Sequence, residues 1–174
     1  MSSSTQRSRV FKRAVPRIFA GSLLAALLAL AGCGPPPPPP PTLVTVQINA
    51  GADTNLGTDG QGAPVAVRVY QLAARPGFER AEFYPLFNAD VATLGPDLLK
   101  KDELLIIPGS SKTLTLSPTD AVHAIGVFAA YRDFQNVVWR VAGDVPAHQS
   151  TVFTVTADRT GLKLVLTPGK PASP

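Results

Sequence analysis

A single cysteine, Cys33, stands between an apolar run and seven consecutive prolines, and this junction limits what either side of the chain can fold into. Proline fixes its own φ and has no backbone N–H to donate, so neither a helix nor a sheet ladder runs through residues 35–41. The prolines favour a polyproline II rod at about 3.1 Å per residue, a spacer of roughly 20 Å. Upstream, residues 18–29 are almost wholly apolar and follow Arg7, Arg9, Lys12, Arg13 and Arg17 with no acidic residue among them. A basic segment, an apolar stretch and small residues together form the pattern of an export signal. The apolar stretch is shorter than the about 20 residues needed to span hydrocarbon. The prolines after it leave it nothing to pack on as a core helix.

Leu30-Ala31-Gly32-Cys33 resembles the lipobox of bacterial lipoproteins, in which an aliphatic and two small residues precede the cysteine that is lipidated. An ordinary cleaved signal shares the small residues, but here the one cysteine sits where lipidation requires it. The resemblance implies a signal peptide over 1–32, discarded on maturation, and a covalent lipid on Cys33, with no other cofactor. With that thiol acylated none remains for a disulfide, so the fold depends on its core alone. Taking the five leader cations from sixteen leaves 11 Lys and Arg against 12 Asp and Glu over 33–174, close to neutrality. A nucleic-acid binder carries a basic stripe, and this chain has none.

Beyond the tether, 33–42, the pattern is that of a single domain over 43–167, with 168–174 a flexible tail. Val44, Val46 and Ile48 alternate with polar residues, as do Val65, Val67 and Val69, the period of a half-buried strand. The Val65 face is expected to point inward, with Ala66 and Tyr70 on the other side. Between these strands, residues 51–63 are too many for a tight hairpin turn, and loops of that length inside compact domains tend to be functional or disordered. Residues 78–101 break the alternation. Val91, Leu94, Leu98 and Leu99 recur at helical spacing over 90–101, and Pro85 with Gly95-Pro96 divides the segment into short helices. These helices are expected to cap the open end of a core. Period two then returns at 104–107, 113–116, 122–131, 137–141, 151–156 and 162–166, giving eight strands in a sandwich or barrel.

No catalytic constellation emerges. His123, expected on the apolar strand, and His148, in a turn, lack metal-ligand neighbours at a suitable spacing. There is no phosphate loop or nucleophile elbow. Arg132-Asp133 reads as a turn ion pair and Trp139-Arg140 as an aromatic packed on a sandwich face. An enzyme is not expected, nor a small-molecule substrate.

Val67-Arg68-Val69-Tyr70-Gln71-Leu72, Ala81-Glu82-Phe83, Leu94-Gly95-Pro96-Asp97-Leu98-Leu99, Pro108-Gly109, Ala129-Ala130-Tyr131-Arg132-Asp133 and Trp139-Arg140 occur in an order and spacing similar to the type VI secretion outer-membrane lipoproteins, the TssJ family. The resemblance implies a mainly β, two-sheet transthyretin-like sandwich of about eight strands with a short helical insertion. It also implies anchoring in the inner leaflet of the outer membrane, facing the periplasm, a location that Gly34 after the cysteine fits. The implied partner is the periplasmic C-terminal domain of the inner-membrane protein TssM. The implied contact is the loop between the first two strands, here Asp53, Thr54, Asn55, Leu56, Gly57, Thr58, Asp59, Gly60 and Gln61, with Leu56 its one large apolar side chain. The alternative is another envelope lipoprotein binding module, a pilotin-like assembly factor with the same anchor and a different partner.

Overall fold

The computed structural model describes residues 38–170; the signal peptide, Cys33 with its lipobox, residues 35–37 of the tether and 171–174 of the tail lie outside the described residues. Eight strands form two four-stranded sheets. In chain order they are β1 (Leu43–Ala50), β2 (Val65–Leu72), β3 (Leu98–Ile106), β4 (Ser111–Leu116), β5 (Ala124–Ala129), β6 (Arg140–Asp144), β7 (Ser150–Asp158) and β8 (Gly161–Pro168). One sheet has the order β4-β1-β7-β8 and the other β3-β2-β5-β6. β1 pairs parallel with β7 and every other neighbour is antiparallel. Strands β1 and β2, adjacent in the chain, therefore belong to different sheets, and residues 51–64 carry the chain from one to the other.

The alternation read from the sequence sets the core between the sheets. Val44, Val46 and Ile48 from β1 meet Val65, Val67 and Val69 from β2, joined by Ile125 and Val127 of β5 and Phe153 and Val155 of β7. The valine face of β2 points inward as expected. The opposite face is not wet, however: Tyr70 and Leu72 are fully buried too. β5 is the most apolar strand, buried at all six positions, and lies inside its sheet. His123 is exposed and precedes that strand, so it is not part of the strand.

What covers the second face of β2 and β5 is the insertion, which is shorter and differently placed than the sequence pattern indicates. It consists of α1 (Arg75–Arg80), α2 (Phe83–Leu94) and a 3-10 turn at Gly95–Asp97. Leu98 to Lys101, expected at the end of a helix, begin β3. Leu94 and Leu98 are four apart and so imitate a helical stripe, but Gly95 adopts φ +51 and Pro96 follows it, which ends the helix. Nor do the helices close an end of the sandwich; they lie on the outer surface of a sheet. There Phe78, Phe83, Leu86 and Leu94 form a second apolar cluster with Tyr70, Leu72, Ala124 and Phe128. Gly126 permits this approach, since a Cβ there would stand 3.0 Å from the Phe78 ring. Trp139 sits edge-on to Phe83 and Phe128, with the Arg140 guanidinium 4.3 Å from the Trp139 ring centre.

Helix α2 is broken at Ala89 (φ −147), and two charged residues absorb the break. Arg68 on β2 donates through one guanidinium nitrogen to the Leu86 and Phe87 carbonyls, at 3.2 and 2.8 Å, satisfying acceptors that the interruption leaves free. Asp90 restarts the helix, one carboxylate oxygen accepting from the Val91 amide at 2.8 Å. Its other oxygen accepts from Lys101 at 2.8 Å and the Tyr70 hydroxyl at 3.1 Å, with Arg68 at 3.4 Å. Burial would raise the Asp90 carboxyl, but the Lys101 and Tyr70 hydrogen bonds and the nearby cations outweigh it and hold it below its ordinary value. A carboxyl depressed on folding stabilises fully above its unfolded value near 3.9 and loses that contribution as pH falls through the folded value. Asp90→Ala is expected to cost about 3 kcal/mol near neutral pH, because it strands a buried hydroxyl and two cations around an emptied site. In urea titrations, the gap between wild type and variant should narrow below about pH 4. A gap that stays constant down to pH 2 would exclude the ion cluster as its source.

Candidate functional site: the end of the sandwich opposite the tether

Strand β1 begins where the tether ends and runs to the opposite end of the sheet. At about 3.3 Å per residue its eight residues separate the two ends by about 26 Å. At its start, the His148 amide donates to Thr42 Oγ1 at 2.8 Å, and the Leu43 amide to the Gln149 carbonyl at 3.1 Å. At its finish the chain enters residues 51–64. That connection packs beside the β3–β4 turn, where the Gly109 amide donates to the Gly51 carbonyl, and beside β7, where the Gly51 amide donates to Ala157.

The loop is less open than its glycines and polar residues indicate. Thr54 is fully buried, and its hydroxyl lies 2.7 Å from the Ala157 carbonyl and 2.8 Å from that of Gly51. Asn55 is buried as well. Its amide nitrogen donates to the Pro64 carbonyl at 2.9 Å, and its oxygen accepts from the Arg132 amide at 2.8 Å, linking the loop to the segment after β5. Asn55 adopts φ +53, a conformation that asparagine tolerates better than most residues. Beyond these two pins the chain doubles back: Leu56 bridges to Gly62, and the Gly57 amide donates to the Gln61 carbonyl at 2.7 Å. Asp59 braces the tip by accepting from the Gln61 amide at 3.1 Å.

Among the residues singled out from sequence, Thr54 and Asn55 therefore hold the loop, whereas Leu56 (39% exposed), Thr58, Asp59, Gly60 and Gln61 face solvent. Asp53 and Gly57 are half-buried, and Asp53 lies 3.8 Å from Arg159, a contact between two exposed side chains that stabilises little. Arg132-Asp133 is not the expected ion pair. Asp133 accepts instead from the Asn136 side chain at 2.7 Å, and Arg132 contributes its backbone amide to Asn55.

The fold adds neighbours that sequence reasoning left out of the site. A recess of about 260 Å³ opens between the loop and the segment after β5, lined by Asn55, Leu56 and Gly57 on one side and Tyr131, Asp133, Val137 and Arg159 on the other. Tyr131 is 3% exposed, and its buried hydroxyl has no hydrogen-bond partner among the described residues. Burial, together with the charges of Asp158 and Asp53, pushes this phenol well above its ordinary value; the Asp158 backbone amide is close enough only to temper the effect. Asp158 itself is committed to the turn. Burial alone would raise its carboxyl, but hydrogen bonds from Lys163 and Thr160 hold it at about 2. No group of three or more His, Cys, Asp or Glu side chains among the described residues is arranged to hold a metal ion.

A family model described as type VI secretion lipoprotein (VasD, EvfM, TssJ) matches residues 42–160. A crystal structure of the type VI secretion lipoprotein TssJ1 from Pseudomonas aeruginosa is similar over 75% of this chain and 100% of its own, at 31% identity and a TM-score of 0.71. Serratia marcescens Lip, described as a membrane-bound component of the type VI secretion system, is similar over 72% of this chain and 98% of its own, at 25% identity and a TM-score of 0.67. The same fold occurs in a structure described as the TssM C-terminal domain from EAEC, at 24% identity over 70% of this chain and 99% of the other, with a TM-score of 0.60. No curated protein matches.

Proposed function

The chain belongs to the type VI secretion lipoprotein family, and from that premise we propose that it tethers the secretion apparatus to the outer membrane, held there by a lipid on Cys33 and binding the periplasmic domain of TssM through the end of the sandwich that carries the 51–63 loop. The observation that carries this reading is the polarity of β1. The tether enters at one end of that strand and the loop leaves at the other, so a domain hung from the periplasmic leaflet of the outer membrane offers the loop towards the inner membrane. TssM is named in the description of a structure that holds the same fold. Within the loop, the pinned Thr54 and Asn55 present Leu56, and a partly exposed leucine on a hydrogen-bonded base is suited to fill a partner's pocket, since a few buried side chains dominate most interfaces. A standard interface takes about 20–30 residues a side, so the segment after β5 and the β3–β4 turn must contribute as well.

The test is to replace residues 56–61 with a short glycine-serine turn while keeping Thr54 and Asn55, whose buried hydrogen bonds an excision of the whole loop would destroy. Capture of the purified TssM periplasmic domain should be lost, with the melting temperature and membrane attachment unchanged. Wild-type capture by the folded variant would remove the loop from the mechanism.

A further inference from the structure

Strand β3 is an open edge, and its two halves are built differently. It pairs with β2 on one side only, and β4, to which it leads, belongs to the other sheet. An edge strand offers unpaired backbone groups to any passing strand, and proteins blunt that hazard with charged side chains, some of them turned inward. The half of β3 nearer the tether is blunted in this way. Lys100, Lys101, Asp102 and Glu103 follow one another there, and Asp102 faces inward, because the residue opposite it in the ladder is Val69 of the core. One Asp102 carboxylate oxygen is buried with no hydrogen-bond partner among the described residues, so this charge weakens the core and is accounted for by its place on an edge.

The half nearer the loop has no such protection. Leu104 to Ile107 carry no charge, and the register with β2 runs unbroken up to Ile106. Leu105 and Ile107 are 59% and 58% exposed, while Leu104 and, on the edge of the other sheet, Leu114 are only half-buried against the core. This bare stretch adjoins the loop. Gly62, which bridges to Leu56, lies so near Pro108 that a Cβ on it would stand 3.1 Å from the proline ring. Exposed apolar side chains therefore continue from Leu56 past the turn to Ile107 and Leu105.

We propose that the loop-end half of β3 receives an extended, uncharged apolar segment of the partner, added to the sheet as a further strand. The proposal rests on the reading that this end of the sandwich binds the TssM periplasmic domain, and it supplies contact that the loop alone lacks. Strand addition takes its affinity from main-chain hydrogen bonds and its specificity from alternate side chains. Here the outward side chains of the incoming strand lie against Leu105 and Ile107, and the inward ones beside Leu104 and Leu114. Both faces are apolar, so a charged side chain on the incoming segment would leave water without a partner. The ladder is short: the Ile107 carbonyl is taken by the turn, accepting from the Ser110 amide at 3.0 Å, and the charged run closes the other end.

Leu105→Lys and Ile107→Lys test the surface. Both positions are exposed, so the melting temperature should hold. The affinity of full-length lipoprotein in detergent for the purified TssM periplasmic domain should fall about tenfold in each. Leu99→Lys, at an exposed apolar position in the charged half of the same strand, should bind as wild type. Hydrogen exchange on the wild-type complex separates strand addition from side-chain contact and needs no variant. Those amides of residues 103–107 that face away from β2 should exchange quickly in the free protein and at least about tenfold more slowly when TssM is bound. Wild-type affinity in both lysine variants, with the 56–61 replacement still deficient, would overturn the edge contact and leave the loop reading standing. Equal loss in Leu99→Lys would overturn the assignment to the loop-end half, and lost affinity with unprotected amides would overturn strand addition. A wild type that does not bind TssM would overturn the underlying reading and this proposal with it.

Discussion

Cys33→Ser is expected to free the protein from membranes and place it in the soluble fraction, whereas the wild type, on the proposed reading, is expected to sediment with outer membrane. Acyl chains contribute about 0.8 kcal/mol per buried CH₂, and one chain alone holds a protein only marginally, so the multiple chains of a lipoprotein make its attachment effectively permanent. No described helix is long and apolar enough to cross a membrane and take their place. The effect is therefore nearly all or none. Fractionation on a density gradient reads it directly, and a serine variant that still sediments with outer membrane would show that something other than the lipid holds the domain.

Val67→Asp unfolds the domain. Val67 is fully buried at the middle of β2, paired with Leu104 on one side and Ala129 on the other, and faces the core between the sheets. A carboxylate there has no partner and costs several kcal/mol, against a net stability of about 5–15 kcal/mol for a whole domain. Val165→Asp is the matched control. Val165 is 58% exposed on the edge strand β8, where substitutions usually stay within about 0.5 kcal/mol. Circular dichroism melts of the two variants should differ widely, and similar curves would mean that the inward face of β2 is not where stability resides.

The alternation of Val44, Val46 and Ile48, and of Val65, Val67 and Val69, made the sandwich legible because period two leaves one face for the core. Which sheet each strand joins was not legible. The parallel pairing of β1 with β7 joins residues about a hundred positions apart, and local patterning carries no record of it. The end of α2 was misplaced for a different reason: Leu94 and Leu98 satisfy helical spacing, and only the left-handed turn at Gly95 decides against it. The loop stood out by its length, but its anchoring did not. Thr54 and Asn55 belong to the residue types that populate open loops, and their burial depends on the Ala157 and Pro64 carbonyls and on the Arg132 amide. Tyr131 and Arg159 likewise become neighbours of the loop only through the fold, and no motif spacing announces them.

The course of β1 also has a mechanical consequence. A pull between the lipid and a partner gripping the loop would run from Thr42 along β1, Leu43–Ala50, and on through the hydrogen-bonded turn at residues 51–54 to Asn55. A strand at about 3.3 Å per residue is already close to the full reach of the backbone, at most about 3.6 Å per residue, so it has almost no slack to give out. Tension would be borne by covalent bonds, while the ladders to β4 and β7 guide the strand without carrying the load. For the part of the pull taken by the loop, the helices and the aromatic cluster would stand outside the line of force. The strand would then transmit a large pull without lengthening, and length would be yielded only where the turn held by Thr54 and Asn55 opens.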